Sequence, residues 1–193
     1  ARRAAFPDGP IVEDGVARVI FSESRLVDAP FGPVLLSEGR VENAAHVDAG
    51  RIAVHYLRPT GDGFAVTRAF PAAAENGSHG SLSAWEVSDQ FTGFPVLRTE
   101  GGGTWQGYTC TVVTLTELRP EGPREIAMVP IGYDNQGAAA EGVAARTVDG
   151  RIDNIQRGRS FEVSFSGTEN FTETYAWRDG RFVSTSGDSR ATC

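Results

Sequence analysis

The chain has 193 residues, 40% hydrophobic and 22% charged, a composition that allows a folded core and argues against extended disorder. All 18 basic residues are arginine, which excludes the lysine-dependent Walker A loop, Schiff base and Ser-x-x-Lys chemistries. The net charge of −7 predicts no binding to nucleic acid, whose phosphates require a basic surface.

No apolar run approaches the roughly 20 residues that a helix needs to cross a bilayer. We therefore expect a soluble protein with no membrane insertion. The length fits a single β-rich domain over 1–193, with possible sublobes at 1–80 and 81–193.

Short strands separated by turn residues dominate the first third of the chain. The segments 16–22 and 51–57 alternate apolar and polar residues, as half-buried strands do. The Pro- and Gly-containing segment 58–63 is typical of a turn. The sequence therefore predicts a hairpin over 50–70.

Two alanine-rich segments are candidates for helix. Residues 71–76 begin with proline and are followed by Gly77, a pattern that predicts one short helix. The segment 136–146 is interrupted by Gly137 and Gly142, so we expect a loop there.

The middle of the chain has the strongest strand signal. The glycines at 101–103 predict a turn, and the β-branched residues that follow predict a long central strand over 104–118. Pro130 predicts that the next strand lies at a sheet edge or bulges at that position.

The last third predicts further hairpins. Asp149 and Gly150 are typical of a turn, with a strand over 151–155 after it. Asp179 and Gly180 favour a type I′ hairpin turn that places Trp177 opposite or beside Phe182. Taken together, the pattern predicts a mainly β fold. We expect antiparallel sheets, arranged as a sandwich or as two packed sublobes, with at most one or two short helices.

The two cysteines, Cys110 and Cys193, lie far apart in the sequence. A disulfide between them would close a loop of about 84 residues, with a stabilising effect of up to ~4.6 kcal/mol. Disulfides persist in oxidising compartments, so this pairing predicts a periplasmic or extracellular location. The alternative is two free thiols.

Two of the three histidines flank a turn. His46 and His55 lie on either side of residues 48–50, and could face each other near Asp48 if 41–57 form a hairpin. Nothing in their spacing identifies a metal site, and we predict no metal and no cofactor.

The third histidine allows a hydrolase hypothesis. His79 lies between Ser78 and Ser81 in a Gly- and Ser-rich loop, and a catalytic serine would need such a base with an acid such as Glu86 or Asp89. The sequence has no G-x-S-x-G nucleophile elbow, so no residue is assigned as catalytic. A hydrolase that uses His79, or His46 and His55, with nearby acids is the alternative function.

Aromatic residues at strand ends favour a binding role. Trp105 is surrounded by glycines that cannot bury it, and Tyr108 follows it closely. With His79, these side chains are the candidate ligand-binding residues, because exposed aromatic rings stack on sugars or anchor proteins. The sequence therefore predicts a non-enzymatic, exported binding domain with a protein or glycan partner. A purely structural domain of a larger envelope assembly is the third function class that the sequence allows. The ligand and the oligomeric state stay open.

Overall fold

The computed structural model describes residues 1–13 and 17–192. These residues form two antiparallel sheets, of five and eight strands, and one four-residue helix, α1 (Arg2–Ala5). The predicted mainly β fold with at most one or two short helices is confirmed, and the two sheets pack as a sandwich. No helix in the described ranges is long and apolar enough to cross a membrane.

The first sheet is built from neighbouring strands in chain order. Its strands are β1 (Ile11–Glu13), β2 (Arg18–Ala29), β3 (Gly32–Val41), β4 (Gly50–Thr60) and β5 (Gly63–Asn76). The pairing of Thr60 with Gly63 closes the β4–β5 hairpin, which confirms the hairpin predicted over 50–70.

The helix predicted over 71–76 is wrong, because β5 runs through that segment. Ala74 pairs with Ile52 and is buried between the sheets, so tertiary packing overrides the helix propensity of the alanines. Pro71 lies at a shift in the register of β4 and β5, where the regular pairing of the two strands is interrupted. A proline is tolerated at such a position because it has no N–H to donate to the strand ladder.

The second sheet is also a meander in chain order. Its strands are β6 (Ala84–Ser88), β7 (Val96–Trp105), β8 (Tyr108–Arg119), β9 (Gly122–Asp134), β10 (Thr147–Gln156), β11 (Ser160–Gly167), β12 (Phe171–Arg178) and β13 (Arg181–Ser184). The segment 136–146 is a loop between two of these strands, as predicted.

Two of the predicted turns are wrong. The glycines at 101–103 lie within β7, and the hairpin turns instead at Gln106 and Gly107, with φ of 52° and 84°. The strand predicted over 104–118 is therefore two antiparallel strands. Residues 149–150 belong to β10, where Gly150 lies directly under the Phe165 ring.

Other local predictions are confirmed. Asp179 and Gly180 form a hairpin turn with φ of 50° and 83°, and Trp177 pairs with Phe182 with ring centroids 4.8 Å apart. The β8–β9 register shifts beside Pro130, which confirms the predicted bulge in what is an interior strand.

The sandwich core lies between the two sheets. Its buried residues are Val34, Leu36, Ile52, Val54, Tyr56, Ala74, Leu97 and Leu118. Polar contacts also join the two sheets: Trp85 Nε1 donates to Glu38 Oε2 at 2.8 Å, and the Tyr56 hydroxyl donates to the Arg119 carbonyl at 2.5 Å. Asn76 Nδ2 donates to the carbonyls of Thr99 and Val112 at 3.2 and 3.1 Å. Burial raises the pKa of Tyr56 to about 12, so the hydroxyl keeps its proton.

The second sheet also curls around a core of its own, since β13 contacts β9. This core includes Val96, Val113, Leu115, Ile126, Val129, Val148, Phe161, Val163 and Phe182. Strands β7 and β8 contribute residues to both cores. Ala191 is fully buried in this core, and the Glu173 carboxylate accepts a hydrogen bond from the Arg190 backbone N–H at 2.7 Å. The segment after β13 therefore packs against the second sheet as far as Ala191.

The outer face of the first sheet is covered by the segment after α1. Phe6 stacks on Phe21 with ring centroids 4.9 Å apart and meets His55 edge-on at 5.1 Å. His55 is 6% exposed, and this burial lowers its pKa. His55 is therefore a neutral packing residue under the N-terminal segment.

The predicted disulfide falls partly outside the described residues, because Cys193 is not among them. Cys110 lies on β8, half-buried, opposite Gly103 on one side and Tyr133 on the other. The pairing of the two cysteines stays a prediction.

Candidate functional site

Three aromatic side chains from separate parts of the chain form one column, which we call the His–Trp stack: His79, His46 and Trp105. The His46 ring lies between the other two. Its centroid is 4.7 Å from that of His79, with the planes 29° apart, and 5.2 Å from that of Trp105, with the planes 26° apart. His79 and Trp105 are exposed, whereas His46 is half-buried. The stack therefore presents aromatic surface to solvent.

His46 is held by the loop 42–49, which joins β3 to β4. The Ala45 N–H donates to Asp48 Oδ2 at 2.6 Å, and the Asp48 N–H donates back to the Ala45 carbonyl at 3.1 Å. This reciprocal pair closes a tight turn around His46. The carboxylate of Asp48 thus has a structural task in the loop.

His79 is presented by a type I′ turn in the loop between β5 and β6. Ser78 and Ser81 bridge the turn, and His79 and Gly80 occupy its centre with φ of 50° and 72°. Such positive φ is uncommon outside glycine, although histidine tolerates it better than most residues. The turn places the imidazole outward, where it reaches His46.

Backbone hydrogen bonds join the two histidine loops. The His79 N–H donates to the His46 carbonyl at 3.3 Å, and the Gly80 N–H donates to the Asp48 carbonyl at 2.8 Å. The Val41 N–H, at the end of β3, donates to the Gly80 carbonyl at 3.0 Å. These three hydrogen bonds fix the loops of His46 and His79 relative to each other, and Trp105 joins them by ring contact with His46.

The glycine run in β7 makes the space that Trp105 occupies. A Cβ added to Gly103 would lie 2.2 Å from Cη2 of Trp105, which is impossible without moving the indole. Gly101, on the same face of the strand, allows the backbone of Gly77 to approach closely. The glycines therefore leave room for the indole and for the loop that carries His79.

A pocket of about 690 Å³ opens next to the stack, with His79 in its wall. The other lining residues are Arg18, Ile20, Arg40, Val41, Glu42, Asn43 and Ala44. Arg18 Nη1 binds Glu42 Oε2 at 2.7 Å, and its Nε lies 3.7 Å from Glu13. The charge of Arg18 is therefore balanced by carboxylates.

Tyr108, the third predicted ligand-binding residue, extends the aromatic surface around the hairpin. It pairs with Trp105 across the turn and is 40% exposed. Its ring centroid is 6.4 Å from that of Tyr133, which lies under the Arg146 guanidinium at 5.0 Å. The structure thus places all three predicted ligand-binding residues at one end of the molecule.

The residues of the hydrolase hypothesis have other partners. Glu86 is ion-paired with Arg98 at 3.0 Å, and Asp89 lines pockets away from His79. In residues 1–13 and 17–192, no hydrogen bond joins the His79 side chain to either neighbouring serine. Hydrolysis stays an untested alternative.

The expectation that His46 could face His55 is wrong, because His55 is packed under Phe6 and His46 contacts His79 instead. Within the described ranges, no cluster of three or more His, Cys, Asp or Glu side chains could hold a metal ion.

Sequence reasoning missed the role of His46 in the site. It selected His79, Trp105 and Tyr108 separately, but stacking across three loops depends on the packing of the two sheets. The signal in the sequence is the glycine run beside Trp105, since backbone without side chains next to a large aromatic residue leaves room for its ring.

Comparison of the chain with protein-family models, curated proteins and solved structures found no match.

Proposed function

We propose that the protein is a non-enzymatic binding domain that acts outside the cytoplasm and takes its ligand on the His–Trp stack. The single observation that carries this proposal is the exposed, fixed column of three aromatic rings. Trp105 is 47% exposed although tryptophan is usually well buried, and it is positioned by its pairing with Tyr108 in the β7–β8 hairpin and by its ring contact with His46.

Rigid aromatic rings at a surface suit ligands with flat apolar faces. A sugar ring can lie against an indole and use its C–H groups, and its hydroxyls can bind the polar groups at the rim. Polar groups of Arg40, Asn43 and His79 line the pocket next to the stack and can serve as that rim. A glycan is therefore the favoured ligand over a protein surface.

Substituting Trp105 with alanine is expected to reduce ligand binding at least tenfold, because the variant loses the largest ring of the stack. The measurement is a screen of labelled protein on an array of glycans, peptidoglycan fragments and peptides, followed by titration of each positive compound. The matched control is Met128→Ala, which removes another exposed apolar side chain, 58% exposed, from strand β9.

The control variant should bind like the wild type. Two results would contradict the proposal: array binding that survives Trp105→Ala unchanged, or no binding anywhere together with turnover in a hydrolase screen. Both variants remove exposed side chains, so thermal unfolding should show that they keep the wild-type fold.

The proposed location outside the cytoplasm depends on the predicted disulfide between Cys110 and Cys193. A thiol titration of the denatured, non-reduced protein is expected to find no reactive thiol. The control is the same titration after reduction, which should find two. Two reactive thiols before reduction would remove the main argument for export.

A further inference from the structure

The residues that line the pocket beside the His–Trp stack include one more arginine than carboxylate, in a protein that is acidic as a whole. Its charged lining residues are Arg18, Arg40 and Glu42, and His79 adds a further hydrogen-bonding group. Glu42 is occupied by Arg18 at 2.7 Å. The remaining charge is the guanidinium of Arg40, which contrasts with the net charge of −7 for the whole chain.

Arg40 is exposed on β3 and is available to a ligand. Within residues 1–13 and 17–192, its side chain makes no ion pair and no hydrogen bond, unlike Arg18 in the same pocket. Its chain neighbour Val41 is bonded to Gly80, the residue after His79, at 3.0 Å. The backbone therefore fixes Arg40 close to the turn that carries the stacked histidine.

We infer that the ligand is a carboxylate-bearing saccharide, with a sugar ring on the His–Trp stack and a carboxylate in the pocket beside Arg40. This inference rests on the proposed function of the stack. A guanidinium binds a carboxylate with two parallel hydrogen bonds, and His79 provides a donor at the boundary between stack and pocket.

The geometry favours an acidic saccharide over an acidic peptide. The pocket volume lies within the range of small-molecule sites, and the pocket offers one unpaired guanidinium rather than a row of them. A ring surface next to a single cation matches a sugar ring that carries its carboxylate on the ring itself. An acidic peptide would bind through the charge of Arg40 alone and would make no use of the aromatic ring surface.

The test compares three probes by following tryptophan fluorescence: tri-galacturonate, the neutral galactose trisaccharide and a triglutamate peptide. We expect tri-galacturonate to bind at least fivefold more tightly than the neutral trisaccharide at low salt, with the difference shrinking as salt increases. Arg40→Gln should remove this preference and leave the neutral trisaccharide unaffected. Arg58→Gln, an exposed arginine of β4 outside the pocket, is the matched control.

The possible outcomes separate the two proposals. Equal binding of the acidic and neutral saccharides, lost in Trp105→Ala, overturns the acidic preference and supports the binding function. Tight binding of triglutamate that matches or exceeds tri-galacturonate overturns the saccharide assignment. If neither saccharide binds, and the array ligands bind Trp105→Ala as tightly as the wild type, both proposals are wrong. An unchanged acidic preference in Arg40→Gln overturns the role of Arg40.

Discussion

The Gly103→Ala variant is expected to lose ligand binding at least tenfold while it keeps the wild-type fold. The added Cβ would lie 2.2 Å from Cη2 of Trp105, so the indole must move away from its position beside His46. The displaced group is the exposed end of a side chain, which can rotate into solvent at little cost to stability. Titration of the positive array compounds measures the loss, and thermal unfolding measures the stability.

The same substitution two residues earlier is a matched control with the opposite outcome. A Cβ at Gly101 would lie 2.2 Å from the backbone nitrogen of Gly77 and 2.7 Å from Asn76 Oδ1. Backbone cannot rotate away, so Gly101→Ala should reduce the free energy of unfolding by about 1–3 kcal/mol. Two results would contradict the claim that Gly103 leaves the space for the Trp105 indole. Gly103→Ala could destabilise the protein as much as Gly101→Ala does, or it could leave ligand binding unchanged.

The largest loss of stability is expected for Phe161→Ala. Phe161 is fully buried in the core of the curled sheet, with its ring 5.0 Å from Tyr175, 5.1 Å from Phe182 and 5.6 Å from Phe91. Removing it leaves a cavity surrounded by aromatic rings that cannot collapse freely. The expected decrease in the free energy of unfolding is about 3–5 kcal/mol, measured by denaturant titration.

This variant also tests whether the chain is one domain. Strands β7 and β8 contribute Val96 and Val113 to the curled core but Leu97 and Leu118 to the sandwich core, so damage to one core should weaken both. Hydrogen exchange should therefore show equal loss of protection in β11 and in β4. Loss confined to the second sheet would indicate two independently unfolding sublobes.

Much of the fold could be predicted from local pattern. The alternation in 51–57 and the Asp179–Gly180 turn are dictated by pleat geometry and by backbone φ, which depend on residues near in sequence. The strand and the turn are confirmed, but the predicted half-burial of 51–57 is wrong, because residues 52–57 are buried on both faces of β4 and Phe6 contacts His55 there. Predictions from composition alone were weaker, because the alanines of 71–76 and the glycines of 101–103 do not reveal which partner strand will pair with them.

The site depended on information that the local pattern does not contain. Trp105 could be selected because its glycine neighbours cannot bury a large ring. Tyr108 follows it closely in the sequence, and His79 lies in a Gly- and Ser-rich loop. The partner ring of His46 could not be selected, because its contacts cross from the β3–β4 loop to the β5–β6 loop and to the β7–β8 hairpin. Long-range packing also decides the role of His55, because its ring contacts Phe6, which lies 49 positions earlier in the chain.

The central claim is that ligand binds at the His–Trp stack, and the indole N–H signals of the three tryptophans test it most directly. In ¹⁵N-labelled protein, each indole gives one resolved signal, and the Trp105 signal is assigned by its disappearance in Trp105→Phe. Adding the array ligand of highest affinity should shift the Trp105 signal and leave those of Trp85 and Trp177 in place. A saturating ligand that shifts Trp85 or Trp177 and leaves Trp105 unmoved would contradict the claim.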